Sequence, residues 1–182
     1  MQKGKQMKFF CTLAAAALIF TLSAADLSKS IEAKRWTLAE STAKTEGNAL
    51  VVNMPVDHKA GQPQYLVGWP RLYLLKLQPQ EKDWSKAKAI SFDLKLEFTG
   101  KTNRYPLTFH VFWTPKGAKK YQSVSMPIPA LKNNAVNKVV VPLTKVKDLA
   151  AVSGFGFNIS ESQYKHGENF KFSVSNFKLV EK

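Results

Sequence analysis

Between Ile90 and Phe98 the chain reads Ile-Ser-Phe-Asp-Leu-Lys-Leu-Glu-Phe, nine residues in strict apolar and polar alternation. A strand has a side-chain period of two, so Ile90, Phe92, Leu94, Leu96 and Phe98 fall on one side of the pleat and Ser91, Asp93, Lys95 and Glu97 on the other. A helix, with its 3.6-residue period, would scatter them. The segment is a strand with one buried face.

The pattern recurs along the chain. In Leu107 to Thr114, the positions Leu107, Phe109, Val111 and Trp113 make a buried row and leave Thr108, His110 and Phe112 on the other side. Phe155, Phe157 and Ile159 are buried by the same logic, with Gly154, Gly156 and Asn158 opposite, and Val139, Val141 and Leu143 repeat it. Further strands are expected at Arg35–Ser41, Ala49–Met54, Leu66–Leu77 (broken at Gly68-Trp69-Pro70), Tyr121–Ile128 and Phe170–Val180. In the last, Phe170, Phe172 and Val174 change parity to Phe177 and Leu179, which reads as a β-bulge at Ser175-Asn176. Turn residues such as Gly47-Asn48, Gly100, Pro115-Lys116-Gly117 and Asn133-Asn134 separate these runs. Short strands at such intervals predict an all-β fold, an antiparallel two-sheet sandwich, and not alternating βαβ units. The one helix expected is a short turn or two within Thr144–Val152, with Val146, Leu149 and Ala150 facing inward.

Residues 1–25 read as a secretory signal: Lys3, Lys5 and Lys8 form a basic start, Phe9 to Leu22 an apolar run, and Ser23-Ala24-Ala25 a small-residue cleavage site. The apolar run of 14 residues is shorter than the roughly 20 that a membrane-spanning helix needs. Cleavage after Ala25 is expected, giving a secreted or periplasmic protein with no membrane span; the alternative is a retained N-terminal anchor. The single cysteine, Cys11, lies in the leader, so residues 26–182 must be held by their core without disulfides, as one β-sandwich domain. Of 27 basic side chains, removal of the three leader lysines leaves 24 against 13 acidic ones, a net charge of +11. Such a balance favours polyanions as partners. Export argues for acidic or sulfated glycans over nucleic acid; the competing reading is a solvated basic surface.

Asp83-Trp84-Ser85 followed by Ile90-Ser-Phe-Asp93, Val139-Val-Val-Pro-Leu143 with the turn around Leu149, Gly154-Phe-Gly-Phe157 and the closing Phe172-Ser-Val-Ser-Asn-Phe-Lys-Leu179 resemble the galactose-binding-like jelly-roll domains of bacterial carbohydrate-binding modules. Trp36 and Ala49-Leu-Val-Val52 fit the same layout. The resemblance covers nearly all of residues 26–182 and implies a jelly roll that holds ligand on a sheet face or by loops at one end. Where that family commonly has an aromatic and an aspartate that helps bind structural calcium, this chain has Ala87 and Ser175-Asn176, and its acidic residues are scattered singly. No metal ligand is carried over, and no cofactor is expected.

Sugar binding uses flat apolar surfaces for pyranose rings and planar polar groups for hydroxyls. Trp69, Arg71 and Tyr73 supply that mixture beside the Gly-Pro break, with an edge strand capped by a buried Trp69 as the competing reading. Trp84 and Trp113 are assigned to the scaffold. The residues that alternation turns away from the core are the other ligand-binding candidates: His110 and Phe112 on one row, Asp93 and Lys95 on another, Tyr121 heading a third, and Asn158 among glycines that would let a ligand approach the backbone. If these strands are neighbours in one sheet, the candidates share a face; otherwise that face is merely solvated.

No catalytic residue is assigned. Gln163-Tyr-Lys-His-Gly167 faintly resembles the tyrosine strand of jelly-roll alginate lyases, and Tyr164, His110 and Arg104 are the residue types that such chemistry needs, but the companion motifs are missing. His58, His110 and His166 have no metal-ligand spacing. The expected function is therefore a non-catalytic domain binding a polysaccharide, with a structural or protein-interaction module of the cell envelope as the alternative.

Overall fold

The computed structural model describes residues 25–57, 70–98, 100, 106–129, 131–160 and 163–181. Among these described residues ten strands run in chain order: β1 (Thr37–Ala39), β2 (Thr42–Glu46), β3 (Ala49–Pro55), β4 (Arg71–Leu74), β5 (Ala87–Phe98), β6 (Leu107–Trp113), β7 (Gln122–Ile128), β8 (Val136–Pro142), β9 (Val152–Asn158) and β10 (Asn169–Glu181). They form two five-stranded antiparallel sheets, β1-β4-β9-β6-β7 (sheet one) and β2-β3-β10-β5-β8 (sheet two). Counting the eight strands from β3 to β10, the first pairs with the last and the second with the seventh, and the chain changes sheet at most connections. That order is a jelly roll.

The apolar rows meet between the sheets. Phe92 of sheet two lies 5.5 Å, centroid to centroid, from both Phe109 and Phe157 of sheet one, and Phe157 lies 5.6 Å from Phe172. Phe92, Phe109, Phe155, Phe157, Phe170 and Phe172 are fully buried. At about 1.5–3 kcal/mol per large side chain, such a core can offset chain entropy without disulfides. Trp84 plugs one end, its indole N–H donating to the Glu81 carbonyl at 2.8 Å.

The bulge sits where the parity change places it. Pairing of β10 with β5 skips from Ser175–Asp93 to Lys178–Ser91, and Asn176 takes φ 54°. Asparagine tolerates this left-handed backbone, and its side-chain N–H donates to Asp93 Oδ2 at 2.7 Å. Two of the three strand prolines among the described residues, Pro127 in β7 and Pro142 in β8, lie on strands at the sheet margins, where a missing N–H costs least, and the third, Pro55, is the last residue of β3.

Three expectations need correction. Strand β2 has no counterpart in the sequence reading, because this edge strand is mostly exposed and carries no apolar alternation. Residues 144–151 form turns and no helix; Val146 is buried and Leu149 packs on the core, but Ala151 takes the inward place assigned to Ala150. The helical elements among the described residues are instead short 3-10 turns, including Ser28–Ile31, Ala33–Arg35 and Pro79–Glu81, and the second delays the first strand from Arg35 to Thr37. Among the described residues no helix is long and apolar enough to cross a membrane.

Candidate functional site

Strand pairing places five of the candidates on the outer face of sheet one. Tyr73, Gly156, His110 and Ser125 form one cross-strand row; Arg71, Asn158 and Thr108 form the next, and Gly154, Phe112 and Ser123 the one on the other side. Tyr121 stands just before β7, against the same face.

These side chains form an aromatic floor. Tyr73 packs edge-on against Phe112 at 4.9 Å and against His110 at 5.6 Å, and Tyr121 packs edge-on against Phe112 at 5.3 Å. His110 and Phe112, two residues apart on β6, stack nearly parallel. Although Phe112 points away from the intersheet core, it is only 4 % exposed, because Tyr73 and Tyr121 cover it; Tyr121 itself is 56 % exposed. Phe112 is thus a buried support, and Tyr73 and Tyr121 are the surfaces a ligand can reach. Burial pushes the Tyr73 hydroxyl above its ordinary pKa, so it stays a neutral donor.

The glycines of β9 make room for this arrangement. A β-carbon on Gly156 would strike the Tyr73 ring and the Leu72 carbonyl, so the bare backbone lets Tyr73 lie across β9 toward β6. The sequence suggested that a ligand would approach these glycines. Tyr73 occupies the space over Gly156 instead.

His110 is clamped from both sides. Its Nε2 lies 2.6 Å from Asn158 Oδ1, and its Nδ1 lies 3.2 Å from the Ser125 hydroxyl. Burial holds its pKa below the ordinary histidine value, with the Asn158 bond opposing in part. In the neutral tautomer that satisfies both contacts, Nε2–H donates to Asn158 and Nδ1 accepts from Ser125. Asn158 is buried and its amide N–H also reaches the Ile159 carbonyl at 3.5 Å, so it orients His110 and offers little to a ligand. Ser125 escaped the sequence reading, since a serine on a polar strand row carries no signal of its own.

Asp93 and Lys95 do not join this face. Consecutive strands β5 and β6 belong to different sheets, so their polar rows point out of opposite sides of the sandwich. Asp93 accepts from Asn176, and Lys95 pairs with Glu97 at 2.9 Å, which also pairs with Lys171 at 2.6 Å. The two ammonium groups pull the Glu97 carboxyl down to about 2. That surface is a solvated lattice of opposite charges. Trp69, His58 and Arg104 lie outside the described residues. Tyr164 is buried and donates to the Pro106 carbonyl at 2.6 Å, away from His110, so those two partners of the lyase alternative are not brought together. Among the described residues no three His, Cys, Asp or Glu side chains cluster as metal ligands.

Solved structures similar to this chain include a carbohydrate-binding module of the β-sandwich superfamily, at 12 % identity and TM-score 0.44, covering 81 % of this chain and 54 % of that one. An exo-β-agarase matches at 12 % identity and TM-score 0.48, over 88 % of this chain and 25 % of that one. In fold the chain is similar to carbohydrate-binding modules. The CBM22-2 xylan-binding domain of Paenibacillus barcinonensis Xyn10C adds a match along 99 % of its own length and 88 % of this chain, at 10 % identity and TM-score 0.42. The chain spans about half of the first structure and a quarter of the agarase. No protein-family model matches it, and no curated protein does.

Proposed function

We propose that this chain is an exported, non-catalytic domain that binds a carbohydrate, an acidic or sulfated polysaccharide, on the outer face of sheet one. The observation that carries the reading is the Tyr73–Phe112–Tyr121 floor, an apolar platform with an accessible tyrosine at either end. Pyranose C–H faces stack on such rings, and the Tyr73 hydroxyl, Ser123, Ser125 and Thr108 can exchange hydrogen bonds with sugar hydroxyls around it. Among the described residues, the outward rows of β4, β9, β6 and β7 include no carboxylate, and Arg71 is their one charged side chain. An anionic sugar meets no repulsion there.

Glycan arrays probed at low and high salt test the proposal: saturable binding to particular anionic glycans is expected, and silence across the array refutes it. Replacing Tyr121 by Ala should weaken binding without unfolding the domain, because that ring is mostly outside the core. A protein-interaction module is the second reading, favoured by Val136 and Val140, which stand 67 % and 54 % exposed on the marginal strand β8.

A further inference from the structure

Three loops meet at the end of the sandwich nearest Tyr121. The β6–β7 loop lies beside the β8–β9 loop, with the Thr114 N–H donating to the Ala151 carbonyl at 3.0 Å, and the β4–β5 loop joins them through the Trp84 N–H and the Leu149 carbonyl at 3.1 Å. They carry Lys82, Lys116, Lys119, Lys120, Lys145 and Lys147, all exposed.

The same loops carry fewer carboxylates than lysines, and among the described residues only Glu81 of these carboxylates is ion-paired; Asp83 and Asp148 accept backbone hydrogen bonds and keep their charge. Glu81 is buried against Arg35, the Asp83 carboxylate accepts from the Ser85 N–H at 3.1 Å with Lys86 nearby, and Asp148 accepts from the Ala151 N–H at 3.1 Å. None of the six lysines forms an ion pair among the described residues, whereas Lys44, Lys95 and Lys171 on sheet two each meet a glutamate. Like charges gathered at one end repel one another and destabilise the fold slightly, and they raise the local concentration of polyanions. Tyr121 follows directly on Lys119-Lys120, so the basic end runs without a break into the aromatic floor.

We propose that this lysine-bearing loop end is the part of the site that reads anionic groups: the sugar rings of an anionic polysaccharide rest on Tyr73 and Tyr121, and its carboxylates or sulfates extend over Lys116, Lys119 and Lys120 with Lys145 and Lys147 beside them. This rests on the carbohydrate reading of the aromatic face. It locates charge recognition on the loops and not on the sheet.

The test compares the protein with its K116Q/K119Q/K120Q variant on two matched pairs of polymers, dextran sulfate against dextran and polygalacturonate against its methyl ester, at low and high salt. The unsubstituted protein should prefer the charged member of a pair. The variant should lose about tenfold in affinity for that member at low salt, with a shallower salt dependence, and bind the neutral member unchanged. Equal affinity of variant and parent for the charged polymers overturns the proposal, as does binding of the parent to phosphatidylglycerol vesicles but to neither charged polymer. The Y121A variant separates the two readings. If it weakens neutral and charged binding alike while the parent shows no preference for charge, the aromatic face stands and the lysine assignment falls. If it changes nothing while K116Q/K119Q/K120Q abolishes charged binding, the face reading falls, and with it the proposed continuity of rings and lysines.

Discussion

The ring of Tyr73 lies in the space that a β-carbon on Gly156 would occupy, so the platform on sheet one depends on a glycine in the neighbouring strand. Gly156→Ala should displace Tyr73 from Phe112 and His110. Overpacking of this kind costs about 1–3 kcal/mol, and glycan affinity should fall by more than in a Tyr121→Ala variant that leaves the backbone alone. Denaturation midpoints and titration calorimetry on both variants check this.

Arg35 and Glu81 form a two-pronged ion pair, Nη1 to Oε1 and Nη2 to Oε2 at 2.6 Å each, with the Glu81 side chain fully buried. Glu81 also accepts from the Gln78 N–H, and Arg35 reaches the Lys29 carbonyl at 3.0 Å, so the pair pins the N-terminal segment to the β4–β5 loop. Arg35→Ala leaves a buried carboxylate without its partner and should destabilise the domain by about 3–5 kcal/mol. Chemical denaturation measures the loss. Little change would mean that water replaces the guanidinium.

Glu97, held near 2 by Lys171 and Lys95, contributes stability that is complete above its ordinary value of 4.5 and is lost as pH falls through the folded value. Its exposure keeps the effect small through solvent screening. Glu97→Gln should flatten the acid limb of the stability profile between those two values, and raised salt should do the same to the parent.

His110 behaves as a half-buried neutral base. Its folded pKa lies below the ordinary 6.5, so its contribution is complete above that value and declines as pH falls toward the folded one, where the ring must charge. Protonation also removes the Nδ1 acceptor that the Ser125 hydroxyl uses. Ring titration by NMR should show the Nε2–H form at neutral pH and a depressed midpoint. Glycan binding should be flat above pH 6.5 and weaken below it.

Much of the scaffold was legible because local alternation reports which side of each strand is buried. Phe92, Phe109, Phe157 and Phe172 were assigned inward and lie in the core, and the parity change at Ser175-Asn176 marked the bulge. Strand β2 was not legible, since an edge strand that buries almost nothing needs no apolar row. At the candidate site, alternation turned His110, Phe112 and Asn158 outward, but nothing local showed that Tyr73 would cover Phe112 or that Ser125 and Asn158 would clamp His110.

Side-chain alternation is a property of each strand alone, so residue order determined the fold class and the inward or outward sense of β5, β6, β9 and β10. Which outward rows become neighbours depends on how strands far apart in the chain pair. Asp93 and His110 lie on consecutive strands with the same polar-outward sense, yet the jelly roll sends β5 and β6 to different sheets and puts those rows on opposite surfaces. Tyr73 and His110 are far apart in sequence but share one row across β9. Their meeting is set by long-range register, which no local pattern encodes.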